Sequence, residues 1–174
     1  MPPVKQNKAL FKSIKRPVHI ANFDVVLMCV CKNEAISKKV ETNAQFKELK
    51  DMFESKLSHN ITVAKNIRKV RESHVHSQFT QGIYLLIYFY VADSELDFLP
   101  IWEHTGNWFL ENANLDNSYL LKPIDSKGQY QYINHCHWHG LSNFLPYLLF
   151  KKHVVNNFSN NRAIAFPIIY QIFT

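Results

Sequence analysis

"GIYLLIYFYV", residues 82–91, contains no charge and only one glycine, at its head. Its length and its β-branched and aromatic content predict a strand. Alternation sends Ile83, Leu85, Ile87 and Phe89 to one side and Tyr84, Leu86, Tyr88 and Tyr90 to the other. Both sides are therefore apolar, as in a strand inside a sheet covered on both faces.

Working outward, residues 94–113 carry Leu99, Trp102, Gly106 and Phe109 on one helical face. Ser94 with Asp97 three residues on makes a capping box. Pro100 should kink this helix or delay its start. "SYLLKPI" (118–124) reads as a strand, "DSKG" (125–128) as a turn, and "QYQYINHCHWH" (129–139) as a further strand. Gly140 ends that strand, and Ser142 is the expected cap of a second helix running to about Phe158, with Pro146 in its first turn. "AFPIIYQIFT" (165–174) is the last strand, and Pro167 suits a strand start or a sheet edge.

The order β-α-β-β-α-β is that of a ferredoxin-like unit, an α+β fold with an antiparallel sheet. Its first and third strands are central and its last lies at an edge. Two helices cover one face of such a sheet. The other face, if left bare, would exceed the few hundred Å² of contiguous apolar surface usual for a monomer. Either the sheet of a second subunit or the N-terminal half of the chain must close it.

That N-terminal half differs in character. Residues 1–80 carry 15 Lys+Arg against 7 Asp+Glu, whereas residues 81–174 carry 5 against 7. The expected division is a basic extension, 1–80, with some α/β structure, possible as β-α-β, and a ferredoxin-like domain, 81–174. Within the extension, "FDVVLMCVCK" (23–32) reads as a strand, and "NAQFKELKDMFESKLSH" (43–59) as a helix capped by Asn43. In that helix Phe46, Leu49, Met52 (or Phe53) and Leu57 lie at helical spacing. "NITVAKNIRKV" (60–70) reads either as a strand or as a continuation of that helix, the strand being preferred. The lysines are scattered and few aromatics lie between them, so a solvated face is expected and not a nucleic-acid surface.

Across its 174 residues the chain has no apolar run of the ~20 residues that a membrane helix needs, and no signal peptide is read at its start. Cys29, Cys31 and Cys136 are odd in number and include a C-x-C pair. Reduced thiols in a cytoplasmic protein are expected, with no zinc at the pair.

Three stretches carry a resemblance: "ELDFLPIWEHTGNWFLENA" (95–113), "QYQYINHCHWHGLSNF" (129–144) and "AFPIIYQIFT" (165–174). Over residues 82–174 the chain resembles the antibiotic biosynthesis monooxygenase domain family of the dimeric α/β-barrel group. The resemblance implies a homodimer formed through the sheet faces and a pocket between sheet and helices in each subunit. It also implies a cofactor-independent monooxygenase acting on an aromatic or quinol-like small molecule. In the resembled oxygenases the Asn and Trp of the third strand line the pocket, and they match Asn134 and Trp138. An amide or indole N–H in a dry cavity can hold a developing oxyanion.

The candidate catalytic residues are accordingly Asn134, Trp138 and Tyr132, the last as substrate orienter or proton carrier. Tyr88, Trp102, Phe144, Tyr147 and Lys152 are the candidate substrate-binding residues, with no cofactor and no metal. Phe144 stands where the oxygenases carry a Tyr, and Lys152 is nearest to where they carry an Arg. Haem-degrading members use an Asn in the first strand and a Trp in the second helix. Here the first strand has no Asn and Tyr147 takes the Trp position. The alternative is a non-enzymatic small-molecule-binding or protein-interaction protein of the same fold, in which Asn134 and Trp138 only pack.

Residues 131, 133, 135, 137 and 139 share the opposite side of that strand, which puts His135, His137 and His139 in a row. No carboxylate near them in the sequence is expected to point the same way. The row is therefore read as neutral, hydrogen-bonded lining at a subunit interface. If it meets its copy there, acid pH would charge the imidazoles and weaken the dimer.

Overall fold

The computed structural model describes residues 21, 25–26, 28–56, 62–71, 82–91, 98–124, 130–145, 157–158 and 163–171. They belong to two compact units, Asp24–Thr62 and, as the other, Met1–Phe23 with Val63–Thr174.

The smaller unit holds helices α1 (Glu34–Thr42) and α2 (Ala44–Lys56). Asn33 Oδ1 accepts from the Ile36 N–H at 3.0 Å and opens α1. Asn43 ends α1 and caps α2, its Oδ1 accepting from Gln45 N–H at 2.9 Å and Phe46 N–H at 3.2 Å. The α2 cap is where the sequence put it, whereas α1 was not anticipated. In α1 only Ile36 and Val40 are large apolar residues, so its periodicity is faint. The strand expected at 23–32 does not form among the described residues of that stretch. Val25, Met28 and Val30 are exposed instead, Val30 at 83 %. β-propensity without a neighbouring strand does not make one.

The larger unit is a five-stranded antiparallel sheet of β1 (Ala64–Arg71), β2 (Ile83–Val91), β3 (Asn117–Pro123), β4 (Tyr132–Trp138) and β5 (Ala163–Gln171), in the order β1-β3-β4-β2-β5. Helix α3 (Phe98–Asn112) connects β2 to β3. Residues 141–145 and 157–158 are also helical, between β4 and β5. Strands β2 to β5 thus have the ferredoxin-like order, with β2 and β4 central and β5 at the edge. Pro167 sits in that edge strand, opposite Ile87. β1, from the stretch read as basic extension, adds a fifth strand beside β3.

As described, α3 runs Phe98–Asn112, with Pro100 as its third described residue. Ser94 and Asp97 lie outside the described residues. After β4, Leu141 is already helical and Phe144 N–H donates to Gly140 O at 3.3 Å, so Ser142 lies inside the helical turn and is not its cap.

The two sides of β2 separate as alternation requires. Leu85, Ile87 and Phe89 join Phe98, Trp102, Phe109, Leu120, Cys136, Trp138, Phe144 and Phe158 in the core beneath α3. Leu86 and Tyr88 join Ile133, Ile164 and Phe166 in a second core on the far face. These five side chains are buried within one chain, Tyr90, Tyr130, Ile168 and Tyr170 are partly so, and Ala21, from the N-terminal segment, belongs to their cluster.

Candidate functional site

The region between α3 and the sheet contains a cavity of about 10 Å³, room for roughly one water. Leu85 and Ile87 of β2, Trp102, Thr105, Gly106 and Phe109 of α3, and Leu115 and Phe158 line most of it. Its polar part is Ser118 of β3 with Asn134 and Cys136 of β4. These three form a buried network. Ser118 Oγ donates to Asn134 Oδ1 at 3.0 Å, Asn134 Nδ2 donates to Cys136 Sγ at 3.0 Å, and Ser118 Oγ lies 3.4 Å from the same sulfur. The register pairs Ser118 with Cys136 and Leu120 with Asn134, so the strand ladder itself brings them together. Burial pushes the Cys136 thiol up to about 11, against the bonds from Ser118 and Asn134, so it stays protonated at neutral pH.

Trp138 shares this side of the sheet but does not line the cavity. Its indole N–H donates to Ala113 O at 2.9 Å, and its ring meets Phe109 and Phe144 edge-on at centroid distances of 6.1 and 5.2 Å. The only donor that Trp carries is thus spent on the backbone. Tyr132 is half-buried and stacks on Phe98 at 4.7 Å with 13° between the planes, and Lys122 Nζ stands 5.9 Å from its ring. Trp102 lines the cavity, and Phe144 is buried in the same core.

Tyr88 is not among these residues. It points to the far face, as the alternation of β2 requires, and packs on Tyr130 at 5.2 Å. Burial raises both hydroxyls, Tyr130 to about 12. Tyr130, grouped with Tyr132 by alternation, lies just before β4 begins and turns to the far face. Tyr147 and Lys152 lie outside the described residues. The sequence reading did not name Ser118, Cys136 or Thr105 as cavity residues. Cys136 shared a face with Asn134 from the outset, but Ser118 needed the β3–β4 register to be found.

On the far face, His137 is 1 % exposed and its ring packs on Tyr84 at 4.6 Å, while His135 lies 5.5 Å from Tyr84 and 6.0 Å from Tyr119. His139 is 64 % exposed, and its Nδ1 lies 2.6 Å from Asp116 Oδ2. The same carboxylate oxygen is 3.3 Å from His137 Nδ1. The row does face a carboxylate, contrary to the expectation from sequence. Asp116 is distant in the chain but precedes β3, and its N–H donates to His137 O at 3.1 Å.

No family model and no curated protein matches the chain. Among solved structures it is similar to an uncharacterized ferredoxin-fold protein related to antibiotic biosynthesis monooxygenases from Listeria monocytogenes. That match has 17 % identity over 68 % of this chain and 69 % of that one, at a TM-score of 0.47. It is also similar to LmHde, a heme-degrading enzyme from Listeria monocytogenes, at 14 % identity over 73 % of this chain and 94 % of that one, with a TM-score of 0.44. The strand order and register of this chain by themselves make the larger unit an antiparallel α+β sheet of the ferredoxin-like kind.

Proposed function

We propose that the larger unit is a binding protein for a small, flat, oxygen-bearing molecule, seated against Asn134 between the sheet and α3, and that it does not oxygenate what it binds. The observation that carries this reading is the polar corner of an otherwise apolar cavity. Asn134 Nδ2 spends one hydrogen on Cys136 Sγ and has a second to give. Aromatic walls with one convergent donor suit a planar ligand with a hydroxyl or carbonyl. The cavity holds little more than one water, so a ligand enters only as its walls move apart. Oxygenation is disfavoured because the Trp138 N–H serves Ala113 O and is not available as a second oxyanion donor.

A second reading, cofactor-free oxygenation of an aromatic or quinol-like compound, rests on the resemblance of residues 82–174 and on Asn134 lining the cavity. One experiment separates the two. A dihydroxynaphthalene is added to the full chain under air and under argon, with tryptophan fluorescence reporting binding and an electrode reporting oxygen uptake. Quenching without protein-dependent oxygen uptake, weakened in Asn134→Ala, is the expected result. Oxygen uptake that disappears in Asn134→Ala would establish the oxygenase instead. No quenching at any accessible concentration leaves the Ser118–Asn134–Cys136 network as packing and removes both readings.

A further inference from the structure

We propose that Asp116, His137 and His139 form a binding site for a divalent transition-metal ion, zinc being the ion this donor set suits best. One ligand atom from each lies within 4.8 Å of the others. Both imidazoles present Nδ1 to Asp116 Oδ2, at 3.3 Å from His137 and 2.6 Å from His139. A tetrahedral zinc ion with bonds of about 2.0–2.2 Å holds its ligand atoms roughly 3.3 Å apart. Two of the three separations, 3.3 and 2.6 Å, lie close to that spacing, the third is within 4.8 Å, and the exposed His139 side chain is the one placed to adjust.

Two features hold the buried half of the site ready. The His137 ring lies between Tyr84 and Gly82. A Cβ at Gly82 would come within 2.4 Å of His137 Nε2, so only a glycine leaves room for the ring in this orientation, with Nδ1 toward the carboxylate. Asp116 is held by its own N–H bond to the His137 carbonyl, which continues the β3–β4 ladder past Asn117↔His137. Ligands fixed by their surroundings bind metal without reorganising.

The remaining chemistry agrees. Two imidazoles and one carboxylate are the nitrogen–oxygen set that first-row divalent ions take, and three protein ligands leave a fourth position on the His139 side for water. Asn117, opposite His137 in the ladder, is fully buried, and neither polar atom of its amide has a hydrogen-bond partner among the described residues. The 2.6 Å approach of His139 to Asp116 holds a proton between them, and zinc would take that proton's place.

The test uses the full chain, reduced and stripped with chelator. Zinc chloride is titrated calorimetrically, thermal unfolding is followed with and without one equivalent, and cobalt is added as a spectroscopic probe. The expected result is one zinc per chain, a raised melting temperature, and a cobalt spectrum with weak visible bands and no thiolate charge-transfer band. His139→Ala, whose side chain is exposed, should fold normally, bind zinc at least about tenfold more weakly and lose the thermal shift. Asp116→Asn should follow it, while His104→Ala, exposed on α3, should bind as the parent does. The proposal is overturned if zinc binding is absent, survives in His139→Ala, or gives a cobalt–thiolate band that assigns the ion to Cys29 and Cys31.

Discussion

The indole N–H of Trp138, at the end of β4, donates to the carbonyl of Ala113, the residue after α3, at 2.9 Å. Both residues are buried. This bond ties the C-terminal end of the helix to the central sheet and satisfies a carbonyl that α3 leaves without an intrahelical partner. It gives Trp138 a structural task at the position where the sequence resemblance implies a catalytic one.

Trp138→Phe should therefore destabilise the chain by about 2–4 kcal/mol, because it strips a buried carbonyl of its donor and shrinks the core. Urea denaturation measures the loss. Ligand quenching by a dihydroxynaphthalene should persist in this variant under conditions where it remains folded.

Gly82 has φ of +113°, and an added Cβ would lie 2.4 Å from both His137 Nε2 and Trp138 O. The second contact is backbone and cannot swing away. Gly82→Ala is expected to cost at least about 2 kcal/mol, from left-handed strain together with the clash at the start of β2. A stability within about 0.5 kcal/mol of the parent in denaturant melts would show that this turn is laxer than described.

The Cys136 thiol, at about 11 in the folded chain, ionises nearer 8.5 when unfolded. Its contribution to stability is full below about pH 8.5 and is lost as pH rises through about 11, an amount on the order of 3 kcal/mol. Tyr130, raised to about 12, and Tyr88 act in the same direction from about pH 10 upward. Denaturation series from pH 7 to 10 should show a decline beginning near pH 9, and Cys136→Ala should flatten it. Thiol reagents at pH 8 should modify Cys29, which is exposed, and spare Cys136 until the chain is unfolded.

Leu86, Tyr88, Ile133, Ile164 and Phe166 are all buried on the far face within one chain. Sedimentation at micromolar concentration should therefore give the mass of one chain, 20.4 kDa, at pH 8 and at pH 5 alike. A dimer that tightens at pH 8 and dissociates at pH 5 would instead bring back the two-fold sheet packing, with the histidine row at its interface.

Much of the larger unit could be read from local pattern. Strands β2 to β5 and α3 are strongly periodic, and the two-sided apolar pattern of β2 required a covered sheet. Pro167 at an edge followed from one missing donor, and Asn43 announced the start of α2 by the acceptor it brings to free N–H groups. The stretch at 23–32 misled because apolar, β-branched residues make a strand only when another strand offers its ladder.

Which residues share a face within one strand is set by backbone geometry alone, so Asn134, Cys136 and Trp138 were already grouped in the sequence, as were His135, His137 and His139. What faces them from elsewhere depends on the register between strands, and no single segment encodes it. Tertiary pairing alone put Ser118 against Asn134, Ala113 O against the Trp138 indole and Asp116 between two imidazoles. Those contacts join residues 16 to 25 positions apart, where hydrogen bonds and charge depend on how the chain closes on itself.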